Sequence, residues 1–220
     1  MARNILKHAE NYFLNLVTIN KLRMATNTQT QMFSAHSGEN KYQFRTYYIN
    51  IDSNDRDRTI WSDSGNFEVR FDPGPGYKGA SIPRSLKNVY SVELVDAVYP
   101  NIPGVANNMY LLICCPELSD GIGMMDSTNN GTSKILAKLL PANILGSFVQ
   151  TLYNDPEITK IVFPTEGKRI DKMTIEFRTN TGAILQFCGT NGSADPASAP
   201  IATLQTSITL RIVIRDRIIG

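Results

Sequence analysis

Near the C-terminal end of the chain, Ile208, Leu210, Ile212 and Ile214 alternate with Thr209, Arg211, Val213 and Arg215. A period of two sends alternate side chains to opposite faces of a strand. One face therefore belongs in a core, and the other meets solvent or a partner. Met173, Ile175 and Phe177 alternate with Thr174, Glu176 and Arg178 in the same way. These runs place strands at Ile208–Arg215 and Lys172–Arg178. Further strands are predicted at Tyr47–Ile51, Asn66–Phe71, Val89–Tyr99, Tyr110–Cys115, Ser133–Leu139 and Lys160–Phe163. Turn chemistry separates them at Asp72-Pro-Gly-Pro-Gly76, Pro100-Asn-Ile-Pro-Gly104, Asn129-Asn-Gly131 and Asn180-Thr-Gly182. Asn and Gly tolerate the positive φ that tight hairpin turns require.

Within this β region, Asn143–Asn154 reads as a helix, with Ile144, Phe148 and Leu152 on one side, and Gly189–Pro200 reads as a long exposed loop. Eight strands suit an all-β fold, a single eight-stranded antiparallel jelly-roll sandwich of two packed sheets over residues 41–220. An immunoglobulin-like sandwich is the competing arrangement. Residues 1–40 differ. Ile5, Ala9, Tyr12, Phe13, Leu16 and Val17 recur at helical spacing, with Asn4, Lys7, Asn11, Asn15 and Lys21 elsewhere on the wheel. That pattern predicts an N-terminal amphipathic helical arm. Ala25–Asn40 is rich in Thr, Asn, Gln and Ser and continues it as an extended arm. Met24 offers an alternative start to Met1.

A chain of 220 residues with 42% hydrophobic and 19% charged residues is sufficient for one sizeable soluble domain. The net charge of +2 argues against a nucleic-acid partner, whose footprint is a clearly basic stripe. Cys114, Cys115 and Cys188 make no disulfide framework and suit a reducing compartment. Asn130-Gly-Thr132 and Asn191-Gly-Ser193 fit the glycosylation sequon but require a secretory route. The apolar stretch Tyr12–Ile19 is interrupted by Asn15 and Thr18 and falls short of the roughly 20 residues of a spanning helix.

The motifs that suggest chemistry read better as structure. Gly74-Pro-Gly-Tyr-Lys-Gly79 matches a dinucleotide fingerprint, but Pro73, Pro75 and Pro83 rule out the helix whose N-terminus would hold the pyrophosphate. It is predicted to be an exposed loop. Asp52, Asn54, Asp55 and Asp57 suggest calcium, yet Arg56 occupies a ligand position and Asp57 replaces the turn glycine. Local ion pairs among Asp55, Arg56, Asp57 and Arg58 are the simpler expectation. His8 and His36 both precede the β region, so no histidine-based triad or zinc site can form within it. Glu68, Glu93, Glu176 and Asp96 fit the polar faces of strands as well as they fit carboxylate catalysis. Tyr47, Tyr48, Phe67, Phe71, Tyr90, Tyr99 and Tyr110 are expected to pack in a core rather than stack on a ligand. No catalytic, metal-binding or cofactor-binding residue is assigned, and the chain is expected not to be an enzyme. Trp61, a large apolar residue between turn signals, is the leading candidate for an intermolecular anchor.

The run Ile49-Asn-Ile-Asp-Ser-Asn-Asp-Arg-Asp-Arg58, the strand Asn66-Phe-Glu-Val-Arg-Phe71, and the segments Leu86-Lys-Asn-Val-Tyr-Ser-Val-Glu-Leu94 and Tyr99-Pro-Asn101 together carry a family resemblance. So does the later run Ile170-Asp-Lys-Met-Thr-Ile-Glu-Phe177, with Asn180-Thr-Gly182 and Leu185-Gln-Phe187. They resemble jelly-roll virion proteins of large icosahedral nucleocytoplasmic DNA viruses, the minor capsid and vertex (penton) proteins of the chlorovirus and giant-virus type. The resemblance implies a structural protein of the capsid, assembled in the host cytoplasm, with no catalytic residues to transfer. Major capsid proteins of these viruses carry two jelly rolls, whereas this chain has room for one. That implies a penton subunit forming a homopentamer, with another minor capsid role as the alternative. Its partners would be copies of itself, major and minor capsid proteins, and the internal viral membrane through the arm. Expected contact residues are Trp61 and Tyr77 in loops and Leu6, Tyr12, Phe13 and Leu16 on the arm. A lectin-like module, with Pro73–Gly79 and Gly189–Pro200 lining a glycan site, is the reading from another class.

Overall fold

A computed structural model describes residues 42–124, 135–140, 143–152, 159–164, 167–187 and 201–217. The predicted arm with Leu6, Tyr12, Phe13 and Leu16, the Gly189–Pro200 loop and both sequons lie outside the described residues. The described chain is all-β, built from two sheets. Its strands are β1 (Tyr42–Asp52), β2 (Asn66–Phe71), β3 (Ala80–Ile82), β4 (Leu86–Pro100), β5 (Leu111–Cys114) and β6 (Ile135–Leu139). They continue with β7 (Asn143–Leu145), β8 (Phe148–Leu152), β9 (Lys160–Val162), β10 (Lys168–Ile170), β11 (Lys172–Thr179) and β12 (Ser207–Arg217). A single turn of helix, α1 (Pro103–Ala106), follows β4.

The seven-stranded sheet runs β1-β12-β4-β8-β7, with β9 and β10 also paired to β4; the five-stranded sheet runs β3-β2-β11-β5-β6. The pairing is nested. The first strand pairs with the last along its whole length, β2 pairs with β11, β4 pairs with β8, β9 and β10, and β5 pairs with β6. The chain is thus one long antiparallel ribbon folded on itself and wrapped into two layers. Wrapping adds the β12–β4 and β11–β5 pairings that knit each sheet together.

The expected strand count, the wholly antiparallel sheets and the helix are corrected. There are twelve strands among the described residues rather than eight, because β3, β7, β8 and β10 are additional. On the free side of β4, β8, β9 and β10 pair with successive parts of the strand. The sheets are not wholly antiparallel, since β3 runs parallel to β2. The predicted helix at Asn143–Asn154 is instead the hairpin β7–β8, closed by Gly146 and Ser147, with Gly146 at φ +64°.

The core fills the space between the layers. Ile49, Ile51, Val92, Leu94, Tyr99, Leu210 and Ile212 face Phe67, Val69, Ile113, Met173, Ile175 and Phe177, and all are buried in one connected cluster. Tyr99, Phe177 and Phe187 form an aromatic group with ring centroids 5.2–6.5 Å apart. Burying each such side chain contributes roughly 1.5–3 kcal/mol. Cys115 lies in this core, while Cys114 points outward into a small cluster with Leu112 and Ile135, as strand alternation requires.

Candidate functional site

The loops carrying Trp61 and Tyr77 are neighbours: Asp57 of the first is within electrostatic reach of Lys78 and Tyr77 of the second, and β3 packs beside Ser53–Asp55. β1 ends at Asp52, opposite Ser207 of β12, which pairs in turn with Val98 of β4. The loop 53–65 therefore shares one end, here the crown, with segments 101–110 and 201–206. Segment 180–187 joins them through the Phe187 N–H, which donates to Asp63, while the Phe177 N–H of β11 donates to Gly65 at the same end. Tyr77 lies in the segment joining β2 to β3, which leaves the other end, the base, after Phe71 and returns along the sheet edge because β3 runs parallel to β2. The base also holds Tyr42 and Arg217, the paired outer ends of β1 and β12.

Trp61 is half-buried and packs against the core, so part of its apolar surface is used internally. Its loop is fastened by Arg56, which is buried, contrary to the expected local ion pairs. The Arg56 guanidinium donates to the carbonyls of Ser53 (2.6 Å), Trp61 (2.8 Å) and Ser62 (3.1 Å) and to Gln205 Oε1 (2.7 Å). A planar five-donor fork is the group suited to several convergent acceptors. The neighbouring carboxylates close turns: Asp52 accepts from the Asn54 N–H at 2.8 Å, and Asp57 from the Thr59 N–H at 3.0 Å. Among the described residues no three His, Cys, Asp or Glu side chains converge as a metal site.

Tyr77 is half-buried, with the Arg70 guanidinium 5.0 Å above its ring. The loop carrying Gly74 and Gly76, at φ +82° and +89°, is exposed and leads into β3 rather than a helix. Beside it is a shallow cleft of about 380 Å³ lined by Arg70, Phe71, Asp72, Pro73, Arg169, Asp171 and Lys172. Its cations already have partners: Arg169 binds Asp171 at 2.7 Å, while Arg70 and Lys172 bind Glu68 at 2.6 and 2.9 Å.

Those pairs belong to the outer face of the five-stranded sheet, which the chain itself completes. Burial acts to raise the Glu68 carboxyl, but hydrogen bonds from Arg70 and Lys172 outweigh it and hold the group below its ordinary range. Glu176 accepts from Arg178 at 2.9 Å. β5 stops at Cys114, opposite Glu176, so the Thr174 N–H has no strand partner there. Glu117 replaces the strand, accepting from Thr174 N at 2.9 Å and Oγ1 at 2.8 Å. Met124 and Tyr110 cover the outward cluster of Leu112, Cys114 and Ile135.

The outer face of the seven-stranded sheet lacks such a covering among the described residues. One row across it reads Thr46, Val213, Ser91, Val162 and Ile122. The next reads Tyr48, Arg211, Glu93 and Lys160, and the one beyond reads Asn50, Thr209, Asp96 and Leu152. Tyr48 is 65% exposed, Ile122 64% and Leu152 52%. An antiparallel sheet facing water ordinarily presents polar side chains there. Arg211 and Glu93 form an ion pair within the face, with Arg211 Nε 2.8 Å from Glu93. Near the base, Phe44 meets Tyr90 edge-on at 5.3 Å, and the Arg215 guanidinium lies 4.8 Å from the Tyr42 ring centroid. Asp96 is half-buried; burial pushes its carboxyl up, partly offset by a 3.4 Å hydrogen bond from Gln150. Sequence reasoning missed this face. It assigned Tyr48 to a core, as is correct for Phe67, Phe71 and Tyr99, but Tyr48 has the outward parity of β1.

Charge is also unevenly distributed along the molecule. Segments 101–110, 180–187 and 201–206 at the crown contain no Asp, Glu, Lys or Arg, so the charge of this end is confined to loop 53–65, with Asp55, Arg56, Asp57, Arg58 and Asp63; exposed Ile60 and Met109 also stand here. The base carries Asp72, Lys87, Asp120, Lys168, Arg169 and Asp171. No family model matches the chain, and no curated protein matches it significantly.

Proposed function

We propose that this chain is a structural protein of an icosahedral DNA virion, a jelly-roll penton subunit of which five copies close a capsid vertex. It works by shape and burial rather than by chemistry. The observation that supports this reading is the nested strand order, first with last and inward to β5–β6, the order that folding a jelly-roll ribbon would produce. The short β3, β7 and β10 and the division of β8 from β9 are elaborations of that plan. The segments that resemble virion proteins fall on its framework: the end of β1 and the turn after it, β2, β4 and β11. The outer face of the seven-stranded sheet, uncovered among the described residues and carrying exposed Tyr48, Ile122 and Leu152, suits a subunit that is completed by neighbours.

A closed ring uses a heterologous contact, one surface of each subunit against a different surface of the next. The N-terminal segment, joined at the base, would tie the ring to the shell or to the membrane beneath it. Negative-stain and cryo-electron microscopy of the purified full-length chain test the proposal. Five-fold rings at micromolar concentration are expected. A chain that stays monomeric or stops at two-fold dimers overturns it, and density beneath the capsomers of an intact particle would assign the other minor capsid role instead.

A further inference from the structure

We infer that the outer face of the seven-stranded sheet is the surface a second copy of this chain covers. This rests on the ring reading and deepens it by naming the contact. The sheet's two long neighbours, β1 and β12, are eleven residues each, which at ~3.4 Å per residue gives a face ~37 Å long. Four columns of strands ~4.8 Å apart make it ~19 Å wide, so it offers roughly 700 Å², close to one partner's share of a standard stable interface.

The chemistry of the face favours protein over the alternatives. Its middle is Thr46, Val213, Val162 and Ile122, bordered by Tyr48 and Leu152; of the charges in the adjoining rows, Arg211 and Glu93 are paired with each other, Asp96 accepts from Gln150, and Lys160 stands beside Glu93 at the β9 edge. Covering it therefore keeps the Arg211–Glu93 pair intact at the centre, where an unpaired charge would cost most, and asks the partner to meet only Lys160 at the β9 edge. Arg215 and Arg217 lie toward the base and Asp52 toward the crown, at the rim where water can still reach them. A nucleic-acid partner would require a basic stripe through the middle, and the face has none. The opposite sheet is closed by its own ion pairs and by Glu117 and Met124, so it is not an equivalent alternative.

Hydroxyl-radical footprinting of the full-length chain, read by mass spectrometry across a dilution series that spans assembly, tests the assignment. Tyr48 and Leu152 are expected to lose at least about fivefold in reactivity on assembly, while Ile60 and Met109 at the crown keep theirs. Tyr48→Asp and Leu152→Asp should each move the assembly midpoint at least about tenfold higher in concentration with the melting temperature unchanged; Ile60→Asp should leave it in place. Rings that form with Tyr48 fully reactive overturn the face assignment and leave the ring intact as a reading. A chain that never assembles removes the ring as well. Protection of Tyr48 already present in the monomer overturns the second-copy occupant, because the chain would then be covering its own face.

Discussion

Removing the Arg56 side chain leaves at least four acceptors, three of them backbone carbonyls, without their shared donor. Arg56→Ala is expected to cost about 3 kcal/mol in chemical denaturation, and Arg56→Lys most of that, because an ammonium cannot reproduce the planar fork. The sequence around Arg56 suggested surface pairing because its neighbours are Asp55 and Asp57. Its decisive partner, Gln205, lies 149 residues away and was invisible to local reasoning. Asp96 is a second case. Its folded carboxyl titrates above its ordinary range, so the buried anion destabilises the fold once pH rises through that folded value; below the ordinary carboxylate range the penalty is absent. Asp96→Asn should therefore raise stability at pH 7 and give no gain at pH 3, read from paired urea melts. The cysteines were more legible: adjacency alone placed Cys114 and Cys115 on opposite faces. Burial, with Glu117 beside it, pushes the Cys115 thiol well up. Peptide mapping after thiol labelling should find both Cys114 and Cys115 unreactive until the chain unfolds.

Strands with strong alternation were readable as elements, and weakly patterned ones were not. Each of the eight predicted strands corresponds to an observed one, including β11 and β12, whose period-two runs set one face in the core. The strands missed are three to five residues long and have too few positions to show a period. The false helix has a specific cause. Phe148 and Leu152 are four apart, a spacing that puts two side chains on one face of a helix and equally on one face of a strand. The deciding signal was Gly146-Ser147, a two-residue turn whose first position takes positive φ. Gly146→Val should cost about 1 kcal/mol and loosen the β7–β8 pairing, seen as faster amide exchange in those strands alone. At the five-stranded sheet, the lowered Glu68 carboxyl gives stability that is present above the unfolded carboxylate range, about 4.3, and is lost as pH falls through the folded value. Glu68→Gln should flatten that acid limb in melts from pH 7 to pH 2.

For the molecule as a whole, an all-β sandwich was legible from alternation and turn residues, whereas the sheet face offered as an interface was not. Which side of β1 looks outward depends on register with β12, fixed by pairing across the full sequence. β1 and β12 close the described body on itself, and its core is one connected cluster. A chain lacking residues 1–40 should therefore melt within about 3 °C of the full chain, since the loss is below about 1 kcal/mol. If residues 1–40 tie the ring to the shell, the same truncation should impair incorporation into particles. The side-by-side placement of Tyr42 and Arg217 has a practical corollary. Any cargo fused ahead of residue 42 or behind residue 217 departs from one pole, so in a ring of copies every graft would crowd a single rim. The opposite rim would stay clear for display.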